Sequence, residues 1–162
     1  MALRPGLLAG ALIAAAACGG GGATVEIAWT GADTGAAELP ASASRCSAGP
    51  IALLAISGDT GLAIALYATG EPAAGSYPVS TGAATAAPPA AGVGARWLDS
   101  TNVAAWRAGR GTVTLTSAGP RLAGSFSVEA KRLDTPDSVT LTGSFRGVPV
   151  GPCRPDSAVP GV

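Results

Sequence analysis

The strictest alternation of polar and apolar residues lies in the last third of the chain. Gly111-Thr112-Val113-Thr114-Leu115-Thr116-Ser117 alternates position by position. Ala118-Gly119-Pro120 interrupts it, and Arg121 to Ala130 resumes it with Leu122, Gly124, Phe126 and Val128 two apart. Val139 to Phe145 repeats the pattern with Val139, Leu141, Gly143 and Phe145. A period of two turns one set of side chains to a core and the other to water, so these segments predict three consecutive antiparallel strands, a meander. Val-Thr-Leu-Thr recurs at 113–116 and 139–142, and Gly-Ser-Phe at 124–126 and 143–145. Echoes this short arise from β composition alone and do not establish a duplication.

Upstream, the pattern is weaker. Thr24 to Trp29 sets Val25, Ile27 and Trp29 on one face. Ile51 to Ser57 and Leu62 to Thr69 are apolar runs around Gly58-Asp59-Thr60-Gly61, which predicts a hairpin. The alanines of the second run favour helix, but its short, glycine-bounded length and its Ile, Tyr and Thr favour strand. Gly75 to Val79 predicts a short strand with Pro78 at an edge or bulge, because proline cannot donate a ladder bond. Val93 to Leu98 and Val103 to Arg107 predict two more strands about the turn Asp99-Ser100-Thr101-Asn102. Gly31 to Pro50, containing Cys46, and Gly82 to Gly92 read as loops. The sum is about eight strands and no long helix beyond residue 17, hence an all-β domain. An antiparallel β-sandwich and a small β-barrel both require one buried face per strand, so the alternation does not choose between them.

The start of the chain follows a different logic. Arg4 precedes an apolar run from Leu7 to Ala17, the run ends in Ala15, Ala16 and Ala17, and Cys18 is followed by Gly19 to Gly22. This order resembles a bacterial lipoprotein signal peptide. It implies removal of residues 1–17, lipidation of Cys18, a Gly-rich tether over 18–23, a single domain over 24–155 and a flexible tail over 156–162. The apolar run is shorter than the roughly 20 residues of a membrane-spanning helix. The glycines end any helix and make a flexible tether. The competing reading is cleavage by an ordinary signal peptidase near the alanines, with release of the chain; Ala15 stands where such lipoproteins usually carry Leu. Gly19, rather than Asp, resembles lipoproteins sorted to an outer membrane, facing the periplasm or the cell surface.

Composition narrows the chemistry. Ten basic residues face ten acidic ones, and Arg4 belongs to the segment to be removed. With no basic patch, the sequence implies no nucleic-acid partner. Charged residues make up 12% of the chain, well below the usual quarter, and aromatics only 4%. The core is therefore modest, and a covalent staple would help it. Once Cys18 is assigned to lipid, Cys46 and Cys153 remain as an even pair in an oxidising compartment, which predicts a disulfide. Closing a loop of about a hundred residues contributes about 4–5 kcal/mol in the chain-entropy model.

There is no histidine, which excludes Ser-His-Asp and Cys-His nucleophile systems and every histidine metal site. Two cysteines so far apart make no zinc motif, no phosphate-binding glycine loop occurs, and no cofactor is implied. The one lysine, Lys131, stands beside Arg132 next to an expected turn, a solvated position. Asp-Thr-Gly occurs at Asp33-Thr34-Gly35 and at Asp59-Thr60-Gly61. Aspartic proteases use this tripeptide, with two carboxyls sharing one proton. Here no hydrophobic strand leads into either aspartate, the copies are close together, and the second suits a hairpin turn. The other carboxylates are dispersed and show no glycosidase spacing.

Trp97 and Trp106 with Arg96, Arg107 and Arg110 form the local concentration of large and cationic groups. Aromatics and arginine are enriched at binding hot spots, so Trp97, Trp106, Arg96 and Arg107 are candidate binding residues; the stronger account is that in an aromatic-poor chain tryptophans are usually core.

Gly111-Thr-Val-Thr-Leu-Thr, Leu122-Ala-Gly-Ser-Phe and Val139-Thr-Leu-Thr-Gly-Ser-Phe, together with the signal and spacer, resemble uncharacterised small bacterial lipoproteins. The resemblance implies a small all-β cell-envelope domain and carries no catalytic residue. The expectation is a lipid-anchored envelope protein, non-enzymatic, with a binding or structural role and a protein, glycan or apolar ligand as partner. The alternatives are a lipocalin-like carrier of a small apolar ligand and, more remotely, a carboxylate-based hydrolase.

Overall fold

The computed structural model describes residues 22–47, 49–100 and 102–153. The proposed signal over 1–17, the lipidation candidate Cys18 and the tail over 156–162 lie outside these residues. Among the described residues there are nine strands: β1 (Thr24–Gly31), β2 (Gly35–Arg45), β3 (Ile51–Ser57), β4 (Thr60–Tyr67), β5 (Gly75–Pro78), β6 (Ala90–Asp99), β7 (Asn102–Ser117), β8 (Arg121–Arg132) and β9 (Ser138–Pro152).

The fold is a closed antiparallel β-barrel. Eight strands make the wall in the order β1-β2-β3-β4-β6-β7-β8-β9, and β9 returns to β1 over Thr24↔Arg146 to Gly31↔Val139. The C-terminal meander forms as its alternation predicts, with Leu122, Phe126, Val128, Val139, Leu141 and Phe145 facing in and buried. The β3–β4 hairpin closes through Ser57↔Thr60, with Gly58 at φ +57° supplying the left-handed conformation that a two-residue hairpin turn requires. The second apolar run is strand, not helix.

Two segments differ from expectation. Residues 31–50 are not one loop: β2 occupies Gly35–Arg45 and pairs with β1, β3 and β9. Its inward set is small (Ala37, Leu39, Ala41, Ala43), so the polar-apolar contrast that marks a strand is faint. The segments 103–107 and 111–117 are not separate strands either. β7 runs through both, and Gly109-Arg110-Gly111 forms a bulge between Ala108 and Arg110 rather than a turn. Gly111 has φ +126°, and a Cβ there would meet the Val128 backbone at 2.5 Å.

At one end of the barrel β1 stops at Thr24, and β2 and β9 close on each other directly, in parallel, over Ala43↔Val150 to Arg45↔Pro152. Cys46 and Cys153 follow at once, at disulfide distance, with their sulfurs 1.95 Å apart. In the same half of the barrel β5 joins the wall along Thr112–Leu115 of β7, so one strand is lost and another gained. Pro78 ends β5 opposite Thr112, with β7 its only ladder partner apart from the Val79↔Ala91 bridge that follows. This end also holds the start of β1 and the end of β9. The opposite end carries the β1–β2, β3–β4, β6–β7 and β8–β9 turns.

Candidate functional site

The turn end gathers all three tryptophans. Each lies on an inward position of its strand: Trp29 in β1, Trp97 in β6 and Trp106 in β7. The register makes room for them. Trp97 stands opposite Ala104 and Trp106 opposite Ala95, so each indole faces a methyl group and the two rings lie diagonally across the β6–β7 pair. Their centroids are 5.0 Å apart with an interplanar angle of 13°. Trp29 pairs with Gly35, where a Cβ would lie 2.7 Å from the indole Cε2; only glycine lets the ring lie flat there. Trp29 stacks on Trp97 at 4.5 Å and 20°. In the eight-strand wall three strands separate β1 from β6 in either direction. The stack therefore spans the barrel from wall to wall and plugs its mouth.

Charged groups flank this plug. Asp33, in the β1–β2 turn, accepts the Trp97 Nε1–H at 2.6 Å and the Trp29 Nε1–H at 3.3 Å on Oδ2, and the Thr34 N–H at 2.7 Å on Oδ1. The Trp97 bond holds the Asp33 carboxyl below the usual carboxylate range; partial burial opposes it, while Thr34, Trp29 and the charge of Arg132 add to the lowering. On the far side, the Arg132 guanidinium lies 5.9 Å from the Trp106 ring centroid, a cation–π contact. Arg132 also donates to Asp134 Oδ1 at 2.7 Å and Asp99 Oδ2 at 2.8 Å, and these carboxylates hold its proton more tightly. Trp106 Nε1 is buried without a hydrogen-bond partner.

The arrangement does not resemble a hydrolytic dyad. A shared-proton pair requires one carboxyl that is readily protonated, whereas three N–H groups hold Asp33 ionised. Asp59, of the second Asp-Thr-Gly, occupies the two-residue turn between β3 and β4. Both copies of the tripeptide thus fall in turns of one barrel end, where aspartate suits the backbone. Glu26, Glu71 and Glu129 form exposed ion pairs with Arg146, Arg45 and Arg110. Among the described residues no group of three or more Cys, Asp or Glu is placed to hold a metal ion.

The four candidate binding residues do not converge. Trp97 and Trp106 face the interior, at 2% and 3% exposure, whereas Arg96 and Arg107 alternate onto the outer face of the same strands. Trp97 and Trp106 instead join Trp29, Asp33 and Arg132, none of which sequence reasoning placed with them. The one available signal was that Trp29, Trp97 and Trp106 all sit at inward positions near strand ends. Lys131 is exposed and pairs with Ser138 in the register, as expected of a solvated position.

No protein-family model matches the chain, and neither a curated protein nor a solved structure shows significant similarity to it.

Proposed function

We propose that this chain is a lipid-anchored, non-enzymatic protein of the cell envelope, held at one end of a rigid barrel so that the opposite end and the outer wall are presented to partners. The observation that carries the reading is the position of Thr24. It opens β1 at the end where the disulfide-distance pair Cys46–Cys153 lies, and only residues 19–23 separate it from Cys18. Six residue steps from Cys18 to Thr24 reach about 20 Å at full extension, so an acylated Cys18 would keep the tether end against the membrane and direct the four turns away. Several acyl chains on that cysteine would make such an anchor stable, at about 0.8 kcal/mol per buried CH₂. The non-enzymatic part is supported by the lack of histidine and by the engagement of Asp33 with two indoles. A closed barrel is also the shape of small carriers, but the inward positions here are filled by side chains such as Leu39, Leu53, Leu141 and Phe145.

The test is mass spectrometry of the mature amino terminus after growth with an alkyne-bearing fatty acid, with fractionation of wild type and Cys18→Ser. The expected result is a fatty-acylated Cys18, wild type in the membrane fraction and C18S out of it. A chain that keeps residues 1–17, or an unmodified Cys18 on a soluble chain, overturns the reading.

A further inference from the structure

The large exposed hydrophobic residues of the described chain are Ile56, Leu98, Val103 and Leu133, at 48%, 53%, 50% and 62% exposure. All four lie at the turn end; Ile56, Leu98 and Val103 share the outer wall of β3, β4, β6 and β7, whereas Leu133, beyond β8, is separated from Ile56 by three strands in either direction and lies outside that face. Leu98 and Val103 are register partners on the β6–β7 hairpin. Ile56 pairs with Gly61, Gly61 with Arg96, and Arg96 with Ala105. Gly61 leaves a flat place in this row. A Cβ there would lie 3.4 Å from Arg96 Nε and 3.5 Å from Ile56 Cγ1, so the arginine stem and the isoleucine close over it from either side. Arg96 therefore stands within an apolar surface.

The charges complete the pattern. Arg132, Asp99 and Asp134 satisfy one another. Arg96 and Asp59 form no ion pair among the described residues, although Asp59 sits in the turn of the hairpin that carries Ile56. An apolar centre that bears both an unspent cation and an unspent carboxylate is complementary to itself under a two-fold rotation. We infer that this face docks a second copy of the same chain, with the Leu98–Val103 hairpins packed together and Arg96 of each copy opposite Asp59 of the partner subunit. Because the patch faces outward from the wall, a two-fold axis parallel to the barrel axis leaves both tether ends on the same side. Three exposed apolar side chains per copy make an interface at the small end of the specific range, so the dimer is weak, with a Kd above about 1 μM. The inference goes beyond the anchor and does not depend on it.

Sedimentation equilibrium of the full chain, in density-matched detergent if it is acylated, tests this. Wild type is expected to follow a monomer–dimer equilibrium. L98S/V103S should weaken it at least about tenfold, Arg96→Asp and Asp59→Arg should each weaken it about fivefold or more, and the R96D/D59R double variant should regain it, because each pair is reversed rather than lost. Near-ultraviolet circular dichroism of the indole stack verifies that each variant is folded. The inference is overturned by a wild type that stays monomeric up to about 0.5 mM, by a dimer that the variants leave unchanged, by a double variant without regain, or by open-ended assembly. An anchored monomer would sink this inference alone, and an unanchored dimer would sink only the anchor.

Discussion

Phe126 lies opposite Gly143 in the β8–β9 register, and its ring occupies the place where a side chain at 143 would begin: a Cβ there would be 2.5 Å from the ring Cζ. The pairing is reciprocal. Phe145 lies opposite Gly124, with its Cζ 2.8 Å from the corresponding point. The repeated Gly-Ser-Phe is thus an antiparallel exchange of rings over glycines. Gly143→Ala must move both the Phe126 ring and the Glu26 carbonyl, and overpacking of this kind costs about 1–3 kcal/mol. Urea unfolding of G143A should show that loss, and the double variant G143A/F126L should recover part of it. Equal stability of G143A and wild type would contradict the packing.

Asp33 makes the stability of the turn end depend on pH. Its folded carboxyl is held below the ordinary value of 3.8 by Trp97 first, then by Thr34 and Trp29, against the opposing effect of burial. The unfolded state therefore binds the proton more readily. The stabilisation is fully present above the unfolded value and is lost as pH falls through the lower folded one. Hydrogen bonds to a charged acceptor contribute about 1.5–3 kcal/mol when buried, and Asp33 is only partly covered, so Asp33→Asn is expected to cost about 1–2 kcal/mol at neutral pH. The gap between wild type and D33N should stay constant from pH 8 to 5 and narrow below about pH 4. A gap that persists unchanged at pH 2 would show that the carboxylate charge is not what matters.

The three indoles should be visible by spectroscopy. Rings stacked at 4.5 and 5.0 Å couple their transitions, so the native barrel is expected to show an exciton couplet in circular dichroism. Trp97→Phe removes the central ring and the closest donor to Asp33, and should abolish the couplet at once. Trp97→Ala should in addition cost about 3–5 kcal/mol, as large-to-small changes in a core do. Retention of the couplet in W97F would mean that Trp29 and Trp106 interact without it.

The paired cysteines are 107 residues apart in sequence. Replacing both by serine should lower stability by about 2–5 kcal/mol, because the unfolded chain regains the freedom of a long loop. Unfolding curves of wild type with and without reductant, set against C46S/C153S, measure this. Coincidence of all three curves would show that the sulfurs are not bonded in the isolated protein.

Much of the fold was legible in the sequence, and what was not has identifiable causes. The meander was clear because Val113, Leu115, Leu122, Phe126 and Leu141 contrast strongly with their Thr and Ser neighbours. β2 was hidden because Gly35–Arg45 is largely Ala and Ser, residues nearly indifferent to which face they occupy. The glycines at 109 and 111 read as a break, since a bulge and a turn use the same residue. Closure into a barrel rests on β1 meeting β9 across more than a hundred residues, which no local pattern encodes. The aromatic plug was concealed for the same reason. Trp97 and Asp33 are separated by 64 positions, and in the sequence Asp33 stands out only as part of a protease-like tripeptide, not as a partner of the indoles.

The parallel seam between β2 and β9 has a mechanical consequence. Below it, β1 enters the wall flanked by a hydrogen-bonded neighbour on each side, and both run against it. A pull at Thr24, where β1 begins, would load the two ladders of β1 lengthwise, so many bonds must yield together rather than one at a time. The cross-linked seam would keep the neighbouring strands from spreading while they resist. If Cys18 is acylated as proposed, a barrel built in this way can be dragged by that anchor without being unthreaded.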